Sequence, residues 1–345
     1  MLSLVSVARG VGIVSRNTAG FNRPNAGVGG GISSNGTVTL NDSTVDNNWA
    51  DSSGGGITSF TNLSDRATTI RNSTVSLNTA SGSTAEPRGG GIYNIRGLTR
   101  IENSTIAFNT TPTARGSGVA SSGIANTSTE VLSSIISANA NNNDVELVNS
   151  FGSTISFQSF QSFGHSLIGD GNATTAFHQL DDQTAVTKPG LGSLANNGGP
   201  TRTHALLAGS PAIDKALSCP PPATDQRGQT RPKDGDGNAF CDTGAFEKEA
   251  PPNAPPAANN DSYSVKEDKT LNVSAPGVLR NDRDPDGDAL TARRVSGPSK
   301  GSLTLRANGS FTYKPKKNFN GADRFVYRVS DGRGGADTAT VTRPR

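Results

Sequence analysis

Residues 70–78 read IRNSTVSLN, and this pattern decides the fold because it recurs without an internal gap. Each copy has an apolar residue at its start, then Ser, a β-branched residue and a closing Asn. The other copies are residues 40–48 (LNDSTVDNN), 101–109 (IENSTIAFN) and 131–139 (VLSSIISAN). The closing residues Asn48, Asn78, Asn109 and Asn139 are separated by steps of 30, 31 and 30, and Val14 and Asn17 fit the last two columns of an earlier copy.

A glycine cluster followed by Ile or Val also belongs to each repeat. These clusters are Gly29–Ile32, Gly54–Ile57, Gly89–Ile92 and Gly116–Val119. A period near 30 residues with short alternating runs and no helical spacing predicts an all-β fold, a right-handed parallel β-helix with three short strands per coil. The alternation of a strand predicts that Ser73, Val75 and Leu77 point inward.

The polar residues of the repeat are predicted to form the corners of the coil. Asn and Asp tolerate left-handed backbone angles, so the position before each Ser should be one corner. That position holds Asp42, Asn72, Asn103 and Ser133. The closing Asn column should be a second corner, with side-chain amides bonded from coil to coil, rather than a metal or sugar site, because a site would break the periodicity. Glycine allows close approach at the third corner.

The composition agrees with a thin stacked core. Only 32% of the residues are hydrophobic and 5% aromatic, while 41 are Gly, and the net charge of +3 lacks the imbalance of a disordered chain. No apolar run approaches the roughly 18 residues of a membrane-spanning helix, which excludes that class of protein.

The Gly-Gly-x-Ile and x-x-x-Asn elements resemble the polymorphic outer-membrane protein repeat. Further along, Leu191–Thr201, Thr203–Asp214, Thr224–Gly228 and Cys241–Glu247 resemble, in this order, the C-terminal part of the choice-of-anchor Q domain family. That resemblance covers roughly residues 20–248 and implies a β-helix of secreted or surface proteins. No enzymatic activity follows from it. We predict coils over residues 1–163 and a C-terminal extension over 164–249.

The only cysteines, Cys219 and Cys241, lie in the extension. Two thiols make a poor zinc site. They favour one disulfide and an oxidising compartment, with two buried free thiols as the alternative.

Histidines and aspartates of the extension could suggest a hydrolase. The histidines are His165, His178 and His204, and the candidate partners are Asp214, Asp225 and Asp242. No G-x-S-x-G element accompanies them, so we expect no catalytic triad. The Asp234–Asn238 stretch has alternating oxygen ligands but lacks the closing Glu of an EF-hand, which favours a polar turn over a calcium loop.

Residues 250–260 are rich in proline and predict a semi-rigid linker. From 261 to 345, short alternating runs separated by turn residues predict a β-sandwich. Val278–Leu290, Gly309–Tyr313 and Phe319–Asp323 resemble the bacterial cadherin-like tandem repeat of surface adhesins. The resemblance implies an Ig-like sandwich that occurs in multiple copies, so we expect further tandem domains in the full-length protein.

Four carboxylates lie within seven residues at the start of this region: Asp282, Asp284, Asp286 and Asp288. Like charges at this density need a cation or full solvation. Oxygen ligands at alternate positions suit Ca²⁺, with Glu267, Asp268 and Asp323 as further candidate ligands. We therefore predict calcium as a cofactor, with a solvated acidic loop as the alternative.

Charge and the N-terminus bear on partners and location. Residues 259–345 carry 16 basic and 10 acidic side chains, but the two signs are interleaved and no nucleic-acid motif accompanies them, so we expect no nucleic-acid partner. Residues 1–8 lack a basic segment and are too short for a secretory signal, so we expect the natural chain to begin upstream.

The sequence as a whole predicts a non-enzymatic bacterial protein that is secreted or displayed at the cell surface. In this hypothesis a β-helix rod and a calcium-binding sandwich act as a spacer or adhesin, with cell-surface glycans or proteins as partners. The alternative is a carbohydrate-active β-helix, a polysaccharide lyase or glycosidase, with the sandwich as an accessory module. Carboxylates on neighbouring coils would favour the alternative.

Overall fold

The computed structural model describes residues 12–19, 29–61, 67–82, 87–112, 115–122, 126–148, 159–216, 219, 222–232, 240–249 and 253–343. The chain divides into two compact units, a solenoid unit (residues 1–249) and a sandwich unit (residues 250–345). Both units are built of β-strands. Among the described residues, no helix has the length and apolar character needed to span a membrane.

Short parallel strands, stacked coil upon coil, form the solenoid. Its strands are β1 (Ile13–Ser15), β2 (Thr18–Ala19), β3 (Ile32–Ser34), β4 (Val38–Asn41), β5 (Thr44–Asp46), β6 (Trp49–Ala50), β7 (Ile57–Phe60), β8 (Ala67–Arg71), β9 (Thr74–Ser76), β10 (Thr79–Ala80), β11 (Ile92–Glu102), β12 (Thr105–Ala107), β13 (Val119–Ser122), β14 (Thr127–Leu132), β15 (Ile135–Ile136), β16 (Val145–Val148), β17 (Phe160–Ser162) and β18 (Leu167–Ile168). Two 3₁₀ turns, Ala140–Asn142 and Thr174–Ala176, lie among and after them.

The repeat unit of the sequence corresponds to one coil. The strands β1, β5, β9, β12, β15 and β18 form one parallel six-stranded sheet. In this sheet Val45 pairs with Val75 and Val75 with Ile106, so the aligned columns of the sequence are ladders in the structure. These residues are fully or almost fully buried in the solenoid core. The predicted β-solenoid is confirmed.

The remaining strands form the other faces. The strands β3, β7, β11, β13 and β16 pair along one face, and β4, β8, β11, β14 and β17 along the next, because the long strand β11 belongs to both. A short sheet of β10, β6 and β2 forms at the second corner.

The first predicted corner has the expected backbone. The residues before the Ser column have left-handed φ angles of 48° at Asp42, 52° at Asn72, 45° at Asn103 and 45° at Ser133. The second corner differs from the prediction, because the left-handed residue precedes each ladder Asn. Leu77 has φ 59° and is 41% exposed, so the prediction that it points inward was wrong. At a left-handed residue the two-residue alternation of the strand is interrupted.

The Asn column is a continuous hydrogen-bonded ladder. The backbone N–H and the Nδ2 of Asn48 both donate to Oδ1 of Asn78, at 3.0 and 2.9 Å. Asn78 donates in the same way to Asn109, at 3.0 Å for both bonds. The last rung, Asn139, donates both groups to Oδ1 of Asp144 at 2.8 Å. A carboxylate therefore ends the ladder, and its burial raises the pKa of Asp144.

The glycine column is required by the Asn column. A Cβ at Gly56 would lie 2.9 Å from Nδ2 of Asn78 and 2.6 Å from the carbonyl oxygen of Gly91. A Cβ at Gly91 would lie 2.9 Å from Nδ2 of Asn109. The two short elements of the repeat thus pack against each other at one corner, which explains why they occur together in every coil.

The coils continue past position 163, where the repeat fades in the sequence. Strand β18 pairs with β15, with Ile168 beside Ile136. Oγ of Ser166 accepts a hydrogen bond from the backbone N–H of Ser134 at 3.4 Å, which extends the Ser column by one rung. The predicted boundary between coils and extension therefore falls within the last coil.

The segment after β18 folds over the outer face of the six-stranded sheet. Its described residues include an antiparallel hairpin, β19 (Leu191–Ala195) with β20 (Thr203–Leu206). Ile135 and Leu167 form a second apolar cluster with residues of the extension, among them Leu206 and Phe246. Both faces of this sheet are therefore buried along β5, β9 and β12, whereas Ile13 of β1 is half exposed.

Two sheets packed around one core form the sandwich unit. Its strands are β21 (Asp261–Ser262), β22 (Leu271–Val273), β23 (Thr291–Ser296), β24 (Gly301–Leu305), β25 (Phe311–Pro315), β26 (Asp323–Ser330) and β27 (Ala336–Arg343), with a 3₁₀ turn at Gly277–Leu279. The first sheet has the order β21-β27-β26-β23 and the second the order β22-β25-β24. Phe311, Phe325 and Tyr327 are buried between the sheets.

The sandwich begins earlier than predicted, within the proline-rich segment. The backbone N–H of Ala258 donates to Oδ2 of Asp337 at 2.9 Å, and that of Asn259 donates to Oδ1 of Asp282 at 2.7 Å. Ala257 forms a β-bridge with Arg283. Residues 253–260 therefore belong to the domain, because backbone groups of this segment bond to residues of the sandwich. A linker over 250–260 was predicted instead.

Candidate functional site

The acidic loop of the sandwich holds the only group of three or more clustered carboxylate, imidazole or thiol side chains in the described part of the chain. Asp284, Asp286 and Asp288 each place an oxygen within 4.8 Å of the others. The loop is arranged by its own backbone, because the N–H groups of Asp286 and Asp288 donate to Oδ1 of Asp284 at 2.9 and 3.1 Å. Alternate side chains of one turn are thereby directed to the same place.

Three buried side-chain oxygens of the sandwich unit have no hydrogen-bond partner among the described residues: Oδ2 of Asp284, Oδ1 of Asn253 and Oδ1 of Asn281. The first belongs to the acidic loop and the second to the start of the domain. Asn253 precedes Ala254, whose N–H donates to Oδ2 of Asp286 at 2.7 Å, so the start of the domain contacts the acidic loop. A buried oxygen without a donor is unfavourable. Carboxylate and amide oxygens are ligands of a hard cation such as Ca²⁺, so the residues present fit this ion.

Sequence reasoning missed Asn253 and Asp331. Nδ2 of Asn253 donates to Oδ2 of Asp331 at 2.7 Å, and this bond lowers the pKa of Asp331. The backbone N–H groups of Arg333 and Gly335 donate to its other oxygen at 2.7 and 3.0 Å. The signal in the sequence was weak, an Asn at the start of the proline-rich segment and an Asp followed by Gly.

The other predicted ligands lie outside this group. Asp282 accepts hydrogen bonds from the Tyr327 hydroxyl at 2.9 and 3.1 Å. Asp323 accepts from the backbone N–H groups of Ser299 and Lys300, both at 3.0 Å. Asp268 accepts from the N–H of Asn318 at 2.8 Å, and Glu267 is an exposed residue. Asp268, Asp282 and Asp323 therefore stabilise loops and the core of the sandwich, and the structure brings neither these three nor Glu267 to the Asp284 cluster.

Asp261 and Asp282 share the buried hydroxyl of Tyr327. Burial, followed by repulsion from Asp282, raises the pKa of Asp261 to about 6. Burial and the hydrogen bond to Asp282 raise the pKa of Tyr327 well above its usual range, so this hydroxyl stays protonated and donates. The carboxyl group of Asp261 can therefore take up or release a proton near neutral pH.

The histidines of the solenoid unit have structural contacts. His204 is 2% exposed, with Nε2 2.8 Å from Oγ of Ser76 and Nδ1 2.7 Å from the carbonyl oxygen of Gly192. Burial lowers the pKa of His204. This Ser–His pair is buried between the extension and the sheet. His165 and His178 bond to the backbone carbonyls of Lys215 and Thr175, each at 3.2 Å.

The candidate aspartates of the extension form a buried ion-pair network. Asp225 accepts from Nε of Arg227 at 2.7 Å, and the Arg227 guanidinium lies 3.7 Å above the Phe246 ring. Arg231 lies 3.4 Å from Glu247, and it donates to the carbonyl oxygens of Asp242 and Gly244 at 2.9 and 2.7 Å. The motif residues of the extension therefore hold its own loops together. The backbone N–H of Asp214 donates to Oδ1 of Asp242 at 2.9 Å.

Gln226 attaches the extension to the solenoid. Its Oε1 accepts from Oγ1 of Thr74 at 2.6 Å, across 152 positions of sequence. Its Nε2 lies 2.9 Å from Oγ1 of Thr201 and 3.1 Å from the carbonyl oxygen of Ser43. The side chain is 1% exposed, so these bonds are made without competition from water.

Carboxylates do occur on neighbouring coils of the solenoid. Glu102 and Glu130 lie on adjacent strands of the face formed by β11 and β14. Each is bound by an arginine of the preceding coil, Arg71 at 2.6 Å and Arg100 at 2.7 Å. The face therefore presents ion-paired carboxylates.

Cys219 and Cys241 form a disulfide, as predicted. It joins two residues of the extension that are 22 positions apart in sequence. The Asp234–Asn238 stretch, for which a polar turn was predicted, lies between them in the sequence. These five residues lie outside the described residues. Residues 1–8, for which no secretory signal was predicted, also lie outside them.

Comparison with known proteins assigns the sandwich. Residues 253–343 match the family described as Bacterial Ig domain. Among curated proteins, none matches the sequence. A solved structure similar to part of the chain is the endo-fucoidan hydrolase MfFcnA9 from glycoside hydrolase family 107, with 18% identity over 28% of this chain and 17% of that chain and a TM-score of 0.21. The chain thus spans less than a fifth of that enzyme, and a similarity of this size transfers neither fold nor activity. Residues 253–343 form a bacterial Ig-like domain, carried on the same chain as a β-solenoid.

Proposed function

We propose that this protein is a structural or adhesive component of the bacterial cell surface or its secreted material. The observation that carries the proposal is the combination of a solenoid, one face of which is sealed by the extension, with an Ig-like domain on one chain. The Cys219–Cys241 disulfide supports an oxidising compartment. The solenoid acts as a spacer and the Ig-like domain as the contact module, with glycans or proteins of a surface as partners.

Calcium stiffens the Ig-like domain in this proposal. Asp284, Asp286 and Asp288 supply carboxylates, and the unpartnered oxygen of Asn253 is a fourth candidate ligand. When bound, the ion would neutralise the repulsion within the loop and join the loop to the first residues of the domain.

The test uses Asp286→Asn in the full chain. Without calcium, the variant should be as stable as the natural protein or more so, because one of three like charges is removed. With calcium at 100 times its dissociation constant the natural protein should gain about 2.7 kcal/mol, and the variant should gain much less. Hydrogen exchange of residues 253–343, with calcium and with a chelator, measures both.

Glu267→Gln is the matched control, since it removes an exposed carboxylate of the same unit. It should leave the calcium response unchanged. A natural protein whose exchange is the same with calcium and with chelator would refute the calcium site. A response lost in Glu267→Gln and kept in Asp286→Asn would place the ion elsewhere.

Surface display is tested separately. Protease treatment of intact producing cells should release fragments of the Ig-like domain, whereas a cytoplasmic protein of the same cells stays whole. Protection of the domain until the cells are lysed would refute surface display, and recovery from the medium would indicate secretion.

The carbohydrate-active alternative is favoured by one observation, the placement of Glu102 and Glu130 on neighbouring coils. It predicts cleavage of an acidic polysaccharide that is lost in Glu130→Gln. Such turnover, if measured, would replace the proposal of a non-enzymatic protein.

A further inference from the structure

The four-stranded sheet of the sandwich has an outer face that carries three arginines. Along β26 the side chains alternate, with Phe325 and Tyr327 buried in the core and Arg324 and Arg328 exposed on the other side. Arg293 of β23 is also exposed and lies directly opposite Arg328 in the antiparallel register. The two arginines of β26 are four residues apart, which is about 13 Å along a strand.

None of these arginines takes part in an ion pair with another described residue. Among the described residues, the salt bridge of the sandwich unit joins Arg333 and Asp288, and no carboxylate lies on the outward rows of β23, β26 and β27. Like charges directly opposite each other destabilise a sheet. The arrangement of Arg293 and Arg328 therefore has a cost that no described carboxylate on this face offsets.

Protection of a sheet edge does not explain the arginines. Charged residues on an edge strand prevent pairing with another chain, and β23 is an edge strand. However, β26 lies between β27 and β23, and its backbone is paired on both sides. Arg324 and Arg328 therefore protect no edge, and edge protection does not account for their positive charge.

A row of hydroxyl groups runs beside the arginines. Thr342 pairs with Arg324, Thr340 with Val326 and Thr338 with Arg328, so the three threonines lie on the same outer face of β27. A guanidinium binds carboxylate or sulfate groups with paired hydrogen bonds. Threonine hydroxyls both donate and accept, which suits the hydroxyl groups of a sugar.

We propose that this face binds an acidic polysaccharide, with Arg293, Arg324 and Arg328 on its carboxylate or sulfate groups and the threonines on its sugar hydroxyls. The inference rests on the proposed function and names the partner of the contact module. A single-stranded nucleic acid is a poorer fit, because the exposed positions of β23, β26 and β27 offer no aromatic side chain for base stacking. The positive charge of the three arginines, on a face without carboxylates, is complementary to the negative charge of an acidic polysaccharide.

The experiment measures binding of the full chain to three polymers at physiological salt: dextran sulfate, polygalacturonate and uncharged dextran. The natural protein should bind at least one of the two acidic polymers and not dextran. The variant Arg293→Gln/Arg324→Gln/Arg328→Gln should bind at least 100-fold more weakly, since each charge-assisted contact contributes roughly tenfold or more in affinity. The three side chains are exposed, so the variant should fold, and its melting midpoint checks this.

The matched control is Lys300→Gln/Lys314→Gln/Lys317→Gln. Lys300 directly precedes β24, Lys314 lies on β25 and Lys317 lies in the turn after β25. All three are exposed, and their replacement removes the same charge. The control should retain binding within a few-fold. Equal loss in the two variants would show that net charge alone attracts the polymer and would overturn the assigned face.

Two other results would also overturn the proposal. One is no binding of either acidic polymer by the natural protein. The other is binding of double-stranded or single-stranded DNA of similar charge that exceeds the binding of both polysaccharides and is lost in the arginine variant, which would assign the face to nucleic acid. These readouts are independent of calcium-dependent exchange and of protease accessibility on cells, so the failure of this inference is distinguishable from failure of the proposed function.

Discussion

Replacement of Asn78 by Ala should destabilise the solenoid far more than replacement of an exposed Asn. The Asn78 side chain is fully buried and makes four hydrogen bonds. Its Oδ1 accepts from the backbone N–H and Nδ2 of Asn48, and its Nδ2 donates to the Val45 carbonyl oxygen and to Oδ1 of Asn109 at 2.9 and 3.0 Å. At roughly 1 kcal/mol for each bond, and more where a buried donor is left without an acceptor, the loss is about 4 kcal/mol. This is a large part of the 5–15 kcal/mol or so that stabilises a typical domain.

The assay can follow the solenoid alone, because the chain has a single tryptophan, Trp49, next to Asn48. Denaturant unfolding monitored by tryptophan fluorescence reports the free energy of unfolding of this unit. The matched control is Asn172→Ala in the same unit. Asn172 is exposed and exchanges two hydrogen bonds with the backbone of Leu147, at 2.6 and 3.1 Å. Its loss should cost about 1 kcal/mol or less, because water replaces those bonds.

The outcome of this comparison decides how the ladder works. If Asn78→Ala costs no more than Asn172→Ala, the column is a by-product of the corner geometry and contributes little stability. A large loss of unfolding free energy in Asn78→Ala, but not in Asn172→Ala, would show that the side-chain amide bonds of the Asn ladder stabilise each coil against the next.

Two further predictions concern the extension and the core of the sandwich. Gln226→Ala should lower the free energy of unfolding of the solenoid unit by about 2–3 kcal/mol, since buried acceptors and the Thr74 hydroxyl lose their partner. Tryptophan fluorescence during denaturant unfolding measures this change. An unchanged midpoint would contradict the inference that Gln226 attaches the extension to the solenoid. Because the pKa of Asp261 is raised from 3.8 to about 6, its protonated form favours folding below pH 4, and this contribution is lost as the pH rises through 6. Asp261→Asn should therefore match the natural protein at pH 4 and exceed it in stability at pH 8, when both are measured in chelator by hydrogen exchange of residues 253–343. The same difference at both pH values would show that ionisation of the half-buried Asp261 carboxyl is not the cause.

The solenoid was predictable because its signals are local and repeated. The Val45, Val75 and Ile106 ladder follows from a fixed period and the alternation of a strand, and both hold over stretches shorter than ten residues. The error at Leu77 arose where this alternation stops, at a left-handed residue. One such angle reverses the direction of a side chain, and the sequence marks the position only by the Asn that follows it.

The candidate site was predictable only in part, for a related reason. Asp282, Asp284, Asp286 and Asp288 have the same spacing, and nothing in the local sequence separates the first from the others. The separation is made by Tyr327, which lies 45 positions away and takes Asp282 into the core. Asn253 was missed in the same way, because the segment that contains it has the composition of a linker.

Local sequence was sufficient to specify the coil, its first corner and the class of the C-terminal domain, since each depends on positions that recur at a regular spacing. Which faces are free depends instead on the folded arrangement. The extension covers the outer side of the six-stranded sheet through Gln226 and Thr74, and no periodic signal connects residues 152 positions apart. The arginines of β23 and β26 meet only when two strands pair in one register. Pairing and covering bring distant parts of the chain together, and so the surfaces available for function became visible only in the folded protein.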